Sequence, residues 1–240
     1  IFILINRSLF HTWFQIKPKN VKKKTFILNF GPQHPAAHGV LRLILQLNSE
    51  VVQRMDIHIG LLHRGTETLL TTKHYIKGIP YFDRLDYVSM MTQEHAYCLS
   101  IERLLGQTYT TPIVSLVRVL FDELTRILNH MLAVACHALD IGQMSAIFWA
   151  FEEREKIMEF YERVSGARMH AAFHKPVNYF NFILDKQLLT DILFFVKDCY
   201  YTLNEMHNVL TYNKIWKQRL INIGTISYEA PEALMVEFSQ

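Results

Sequence analysis

Cysteine is scarce and scattered in this 240-residue chain: Cys98, Cys136 and Cys199 are the only three, and no two form a CxxC pair. An odd number at wide spacing makes neither a disulfide framework nor a cysteine metal site, and suits a reducing compartment. GxGxxG, the Walker phosphate loop and the GxSxG elbow are missing too. Dinucleotide binding, phosphoryl transfer, serine-hydrolase chemistry and an in-chain iron–sulfur cluster therefore lack support. Long apolar runs are also lacking. The 25 residues from Ile127 to Phe151 hold a single charged residue, Asp140, but also Asn129, His130, His137 and Gln143. A spanning helix needs about 20 predominantly apolar residues, so this stretch is expected to lie buried in protein.

Negative charge is absent from the start of the chain. No Asp or Glu precedes Glu50, whereas Arg7, Lys17, Lys19, Lys22, Lys23, Lys24 and Arg42 all do. Residues 1–24 thus form a basic arm, open to reading as a transit peptide, a nucleic-acid arm or a segment lying on an acidic partner or lipid surface. The apolar Ile1-Phe2-Ile3-Leu4-Ile5 and Trp13-Phe14 favour an arm packed on a partner. What the chain has in quantity is apolar and aromatic material: half of its residues are hydrophobic, with sixteen Phe and eleven Tyr, enough for a sizeable core.

From Thr25 to His58 the hydrophobic period is two. Thr25–Phe30 reads as a strand, Gly31-Pro32 and His38-Gly39 bracket a turn, Val40–Leu47 alternates, and Asn48-Ser49 turns into an alternating Glu50–His58. After Gly65 the period shifts to about 3.6. A helix is expected from Thr66 toward Tyr75, ended by Gly78-Ile79-Pro80. Others run from Asp83 to Leu105, from Pro112 to about Leu139, past Gly142 to Gly166, and from Leu188 to Leu220, with a loose connection over Asn181–Asp185. The expected fold is α+β, mainly α: a small antiparallel β subdomain over 25–65, then a helical bundle over 66–240, with no Rossmann unit.

Three places have the residues for chemistry. The loop Gly31–Gly39 carries His34 and His38 at a spacing that would make metal ligands on a helix, but Pro32, Pro35 and Gly39 argue against a helix. A rigid turn with two imidazoles remains, either bonded within its own loop or presented to a ligand. Asp140 must be paired or hydrogen-bonded if buried; alternatively it caps a helix at the Asp140-Ile141-Gly142 break. In Pro80–Tyr87, two Asp and one Arg at a helix start read as capping and dipole compensation, and the tyrosines as core. Tyr87 could instead offer a ligand its hydroxyl, which both donates and accepts.

NFGPQHPAAHGVLRL (29–43), HIGLLHRGTE (58–67), PYFDRLDYVSMM (80–91), RVLFDELTRILNHMLA (118–133), HALDIG (137–142) and FEEREKIMEFYERVSGARMHAA (151–172) closely resemble, in the same order, the mitochondrial quinone-site subunit of respiratory complex I. That family is homologous to the large subunit of nickel–iron hydrogenases, whose fold it implies here. The resemblance is strong over about 25–172 and then thins: His174–Tyr179 replaces a Gly-rich continuation, and the family's C-terminal part is missing after Gln240. The nickel-ligating cysteine pairs are absent, so hydrogenase activity is not implied.

The resemblance implies a subunit of H+-translocating NADH:ubiquinone reductase, on the matrix side of the mitochondrial inner membrane with no transmembrane helix of its own. It implies that His38 and Tyr87 hold the ubiquinone headgroup, that Asp140 is the acidic partner of His38, and that His34 lies nearby. Arg64 and His170 match residues close to a 4Fe-4S cluster held by a neighbouring subunit, with no cofactor ligated by this chain. Implied partners are that cluster-bearing subunit and membrane-arm subunits, not nucleic acid. Two rival readings stand beside it. One is a split or truncated chain kept as an assembly scaffold, with another polypeptide supplying the rest of the subunit. The other is a related membrane-bound hydrogenase, which the missing cysteine pairs disfavour.

Overall fold

A computed structural model of the chain describes residues 25–106, 111–176 and 185–225. The basic arm 1–24 and most of the Asn181–Asp185 connection lie outside them. The described residues fall into two compact units. One holds the residues up to Leu62 together with those from Thr211 onward, and the other runs from His63 to Leu210.

In the first unit, β1 (Thr25–Phe30), β2 (Arg42–Asn48) and β3 (Val51–His58) form an antiparallel sheet in that order. Register explains why alternation was readable. Phe26, Leu28 and Phe30 pair with Leu47, Leu45 and Leu43, and those leucines pair on their other side with Val52, Met55 and Ile57. One face is therefore apolar throughout, and Leu45 and Leu47 are its buried centre. Val52 and Met55 share that face, although they are three apart, because a bulge between them leaves Gln53 unmatched.

The loop from β1 to β2 begins at Gly31, in the left-handed region at φ +80°, where an added Cβ would sit 2.1 Å from the Leu41 carbonyl oxygen. Gly31→Ala is expected to cost about 1–3 kcal/mol, read as a lowered thermal midpoint. An unchanged midpoint would contradict this close approach.

The second unit is helical, and its boundaries follow capping chemistry more closely than periodicity. α1 (Thr66–Thr71) stops short of Tyr75 because the Thr71 and Thr72 hydroxyls bond back to the Thr68 and Leu69 carbonyls. Gly78-Ile79-Pro80 does not end α1: a separate 3-10 helix over Tyr75–Gly78 ends there, and Pro80 sits in the first turn of α2 (Ile79–Asp83), where its missing N–H is harmless. The helix expected from Asp83 begins only at Met90. Asp86 accepts the Val88 N–H at 3.2 Å and holds residues 84–89 in turns before α3 (Met90–Leu104).

α4 (Pro112–Ile141) starts with Pro112 after an extended Thr111 and buries Val117, Phe121, Leu124, Leu128, Met131, Ala135 and Ala138, a three-and-four spacing along one face. It closes at Gly142, φ +103°, with Gly142 N–H on the Leu139 carbonyl and Gln143 N–H on that of Ala138, the paired bonds of a Schellman motif.

α4 packs against α3 and against α5 (Ser145–Ser165), around a core that includes Phe121, Leu128, Ile157 and Phe173. α6 (Lys186–Thr211) adds Leu188, Ile192, Phe195, Cys199 and Met206. At the next slot in that stripe stands Thr202, whose hydroxyl bonds buried Glu153 at 3.1 Å. The helix expected to continue to Leu220 breaks at Tyr212. Asn213 accepts the Ile215 N–H at 2.8 Å and starts a separate α7 (Lys214–Leu220).

Candidate functional site

His34 and His38 lie in the sheet unit, around a 3-10 turn over Pro35–Ala37. The His34 ring lies 4.2 Å from that of Phe30, tilted against it, and its Nδ1 accepts the Ala36 N–H at 3.1 Å, so one ring nitrogen serves its own loop. His38 is exposed and follows the buried Ala37. Its backbone is left-handed, φ +48°, a conformation histidine adopts more readily than most residues.

Tyr87 and Asp140 belong to the helical unit. Tyr87 is not core, contrary to the packing expectation: it stands in the turn before α3 with 40% of its surface open. That turn is tied to α4 by Asn129, which donates to Ser89 Oγ at 2.5 Å. Asp140 lies eleven residues further along α4, about 16 Å of helix rise. It is exposed in the last helical turn. The N-cap expectation is therefore wrong, since α5 is preceded by Met144. A carboxylate beside the carbonyl end of a helix opposes the dipole, so Asp140 is not there to stabilise α4. Arg64 is exposed between the sheet and α1.

His170 is half-buried in the strap that follows α5, and its Nδ1 is buried with no hydrogen-bond partner. The strap ends a set of buried ionisable groups that the sequence reading missed. Asp83, taken for a cap, is fully buried and accepts the Ala172 N–H at 3.1 Å. Glu94, also fully buried, accepts the His174 N–H at 2.7 Å. Arg118 binds Glu102 through two nitrogens, at 3.1 and 2.7 Å, and donates to the Lys175 carbonyl at 3.0 Å. His95 Nδ1 meets Asp122 Oδ2 at 2.5 Å, and the His95 ring lies 5.6 Å from that of His174.

Burial, then the neighbouring Asp83, pushes the Glu94 carboxyl up to about 10. Burial also raises Asp83 and lowers His174 to about 3. A signal was present in α3: Met90, Glu94, Cys98 and Glu102 recur every four residues, which places both acids on the apolar stripe.

The cysteines stand on three helices. Burial pushes the Cys98 thiol up to about 12 and Cys199 to about 11, away from the thiolate a metal needs. Among the described residues no group of three or more His, Cys, Asp or Glu is placed to hold a metal ion.

A small antiparallel sheet followed by a long helical body makes this an α+β, mainly helical protein. Residues 140–238 match the family described as "Respiratory-chain NADH dehydrogenase, 49 Kd subunit". The NADH-ubiquinone oxidoreductase 49 kDa subunit of Paramecium tetraurelia is 72% identical over 206 residues, 86% of this chain and 52% of that protein. The subunit of the same name from Prototheca wickerhamii is 58% identical over 91% of this chain and 54% of its own length. NADH dehydrogenase [ubiquinone] iron-sulfur protein 2 of Arabidopsis thaliana is 57% identical over 85% and 51%. Over most of its own length the chain is thus similar to the complex I 49 kDa subunit. It spans about half the length of the curated relatives it matches.

Proposed function

We propose that this chain works within NADH:ubiquinone oxidoreductase and forms the site where ubiquinone is reduced, next to an iron–sulfur cluster carried by a neighbouring subunit. The identity to subunits of that name over most of the chain carries the reading. The exposed His38, Tyr87 and Asp140 support it, since all three are open to a ligand.

Reduction to the quinol takes two electrons, supplied by the partner's cluster, and two protons. The Tyr87 phenol and His38 imidazole bind the two headgroup oxygens and donate those protons. Asp140 supplies a carboxyl whose charge balance changes as protons leave the site for the quinone. That change couples the site to proton pumping. His34, in the same loop as His38, is a further contact for the headgroup. Arg64 and His170 lie toward the partner's cluster, where the cation at Arg64 eases its reduction. The working location is the matrix side of the mitochondrial inner membrane, against membrane-arm subunits; no described helix is long and apolar enough to cross a membrane.

Two experiments test the proposal. Native electrophoresis of the source membranes should place this chain in the NADH-oxidising band, and its absence there would end the reading. Asp140→Asn, which changes charge and little else, should leave the KM for quinone close to wild type while lowering the protons moved per NADH. Unchanged proton yield would remove Asp140 from coupling.

A further inference from the structure

Asp83 closes α2 and Glu94 lies in the second turn of α3, both at 0% exposure. Each carboxyl uses one oxygen to accept a backbone N–H of the same strap, from Ala172 and His174, two residues apart. Asp83 Oδ1 and Glu94 Oε1 are buried without a hydrogen-bond partner, the Phe173 N–H also favours charge on the Glu94 carboxyl, and the two carboxyls lie within hydrogen-bonding reach of each other. Two ionised carboxylates in that position would repel in a dry setting, with acceptors facing acceptors.

Among the described residues no cation forms an ion pair with either carboxyl. On α4, Arg118 is bound to Glu102, and Asp122 to His95. The Cys98 thiol on α3 and the Tyr161 phenol on α5 are both pushed upward by burial and stay neutral. On the strap, His174 is pushed down and stays neutral, and His170 favours the charge on Asp83. Arg84, exposed, adds a smaller pull in the same direction.

We propose that Asp83 and Glu94 share one proton, with Asp83 ionised and Glu94 protonated, and that this pair is a positioning clamp for the strap bearing His170. The bond is a charge-assisted O–H···O⁻ contact, short and strong for its kind. It leaves one net negative charge where two carboxyls stand, and both outer oxygens free to hold the strap. Folding therefore takes up a proton. A carboxyl whose folded value lies above its unfolded one contributes most in acid, and that contribution is lost as pH rises between 4.5 and about 10. The inference concerns this chain alone and stands whether or not the quinone reading does.

The test uses the chain in its native assembly. In Glu94→Gln the amide donates where the shared proton lay and keeps the single charge, so the assembly should form. Its thermal midpoint should exceed wild type by a margin that widens as pH rises. Asp83→Asn should also assemble, with Glu94 now the ionised acceptor. Glu94→Ala removes the anchor and should lower the midpoint at every pH, which the Gln variant should not. A Gln margin that does not change with pH would overturn the shared proton. So would failure of both amide variants to assemble, because an amide cannot replace two ionised carboxylates around a cation.

Discussion

Tyr87→Phe is expected to slow ubiquinone-dependent NADH oxidation by about 10²–10⁴-fold, the usual loss when one positioned proton donor is removed. The size follows from what the substitution leaves behind. The ring remains, so packing in the turn before α3 is kept, and the turn is fixed by Asp86 and Asn129 without the phenol's help. With 40% of Tyr87 open, its hydroxyl is not repaying a buried partner, and stability should hardly change. The loss should therefore appear with quinone as acceptor. Oxidation by an acceptor that draws electrons upstream of the quinone should stay near wild type. Wild-type quinone turnover in the variant would remove Tyr87 from the reaction.

Arg118→Leu should cost about 3–5 kcal/mol, as is typical when one member of a buried ion pair is deleted and the other charge stays behind. The two side chains are only 2% and 5% exposed, their contact is bidentate, and the same guanidinium holds the Lys175 carbonyl. A second change, Glu102→Leu, should recover much of that loss, since well-packed apolar pairs often replace buried ion pairs at little cost. Thermal denaturation of wild type, single and double variants decides it. A single variant as stable as wild type, or a double variant no better than the single, would contradict the account.

Where local chemistry and the apolar pattern agree, the sequence was readable. The three strands alternate against a buried leucine row. α4 and α5 carry apolar stripes and end at glycines that adopt left-handed geometry. Three of the misplacements share one cause: short polar side chains bonding their own backbone. Asp86 holds a turn inside an apparent helix, Asn213 starts a new helix inside another, and Thr71 and Thr72 shorten α1.

Tyr87 and His38 were visible as chemistry-bearing types, and the motif resemblance assigned them roles that their residue types alone left open. The ionisable core was illegible for a different reason. Asp83 and Glu94 are anchored by amides 89 and 80 residues away. Nothing local separates such carboxyls from caps or solvated charges. Only the four-residue recurrence of Glu94 and Glu102 with Met90 and Cys98 hinted that α3 buries acid.

The bulge in β3 has a consequence for how the gene can change length. Because Gln53 matches no residue of β2, losing that one codon would leave every other pair where it is, from Val51 with Asn48 to His58 with Arg42. Losing Arg54 has the same outcome, since Gln53 then takes its place opposite Gln46, whereas losing Met55 would slide Arg54 opposite Leu45, onto the apolar face. In a period-two strand a one-place slide turns each affected side chain to the opposite face. Natural deletions in this strand should therefore gather at Gln53 and Arg54, where it can lose a residue and keep its apolar side intact.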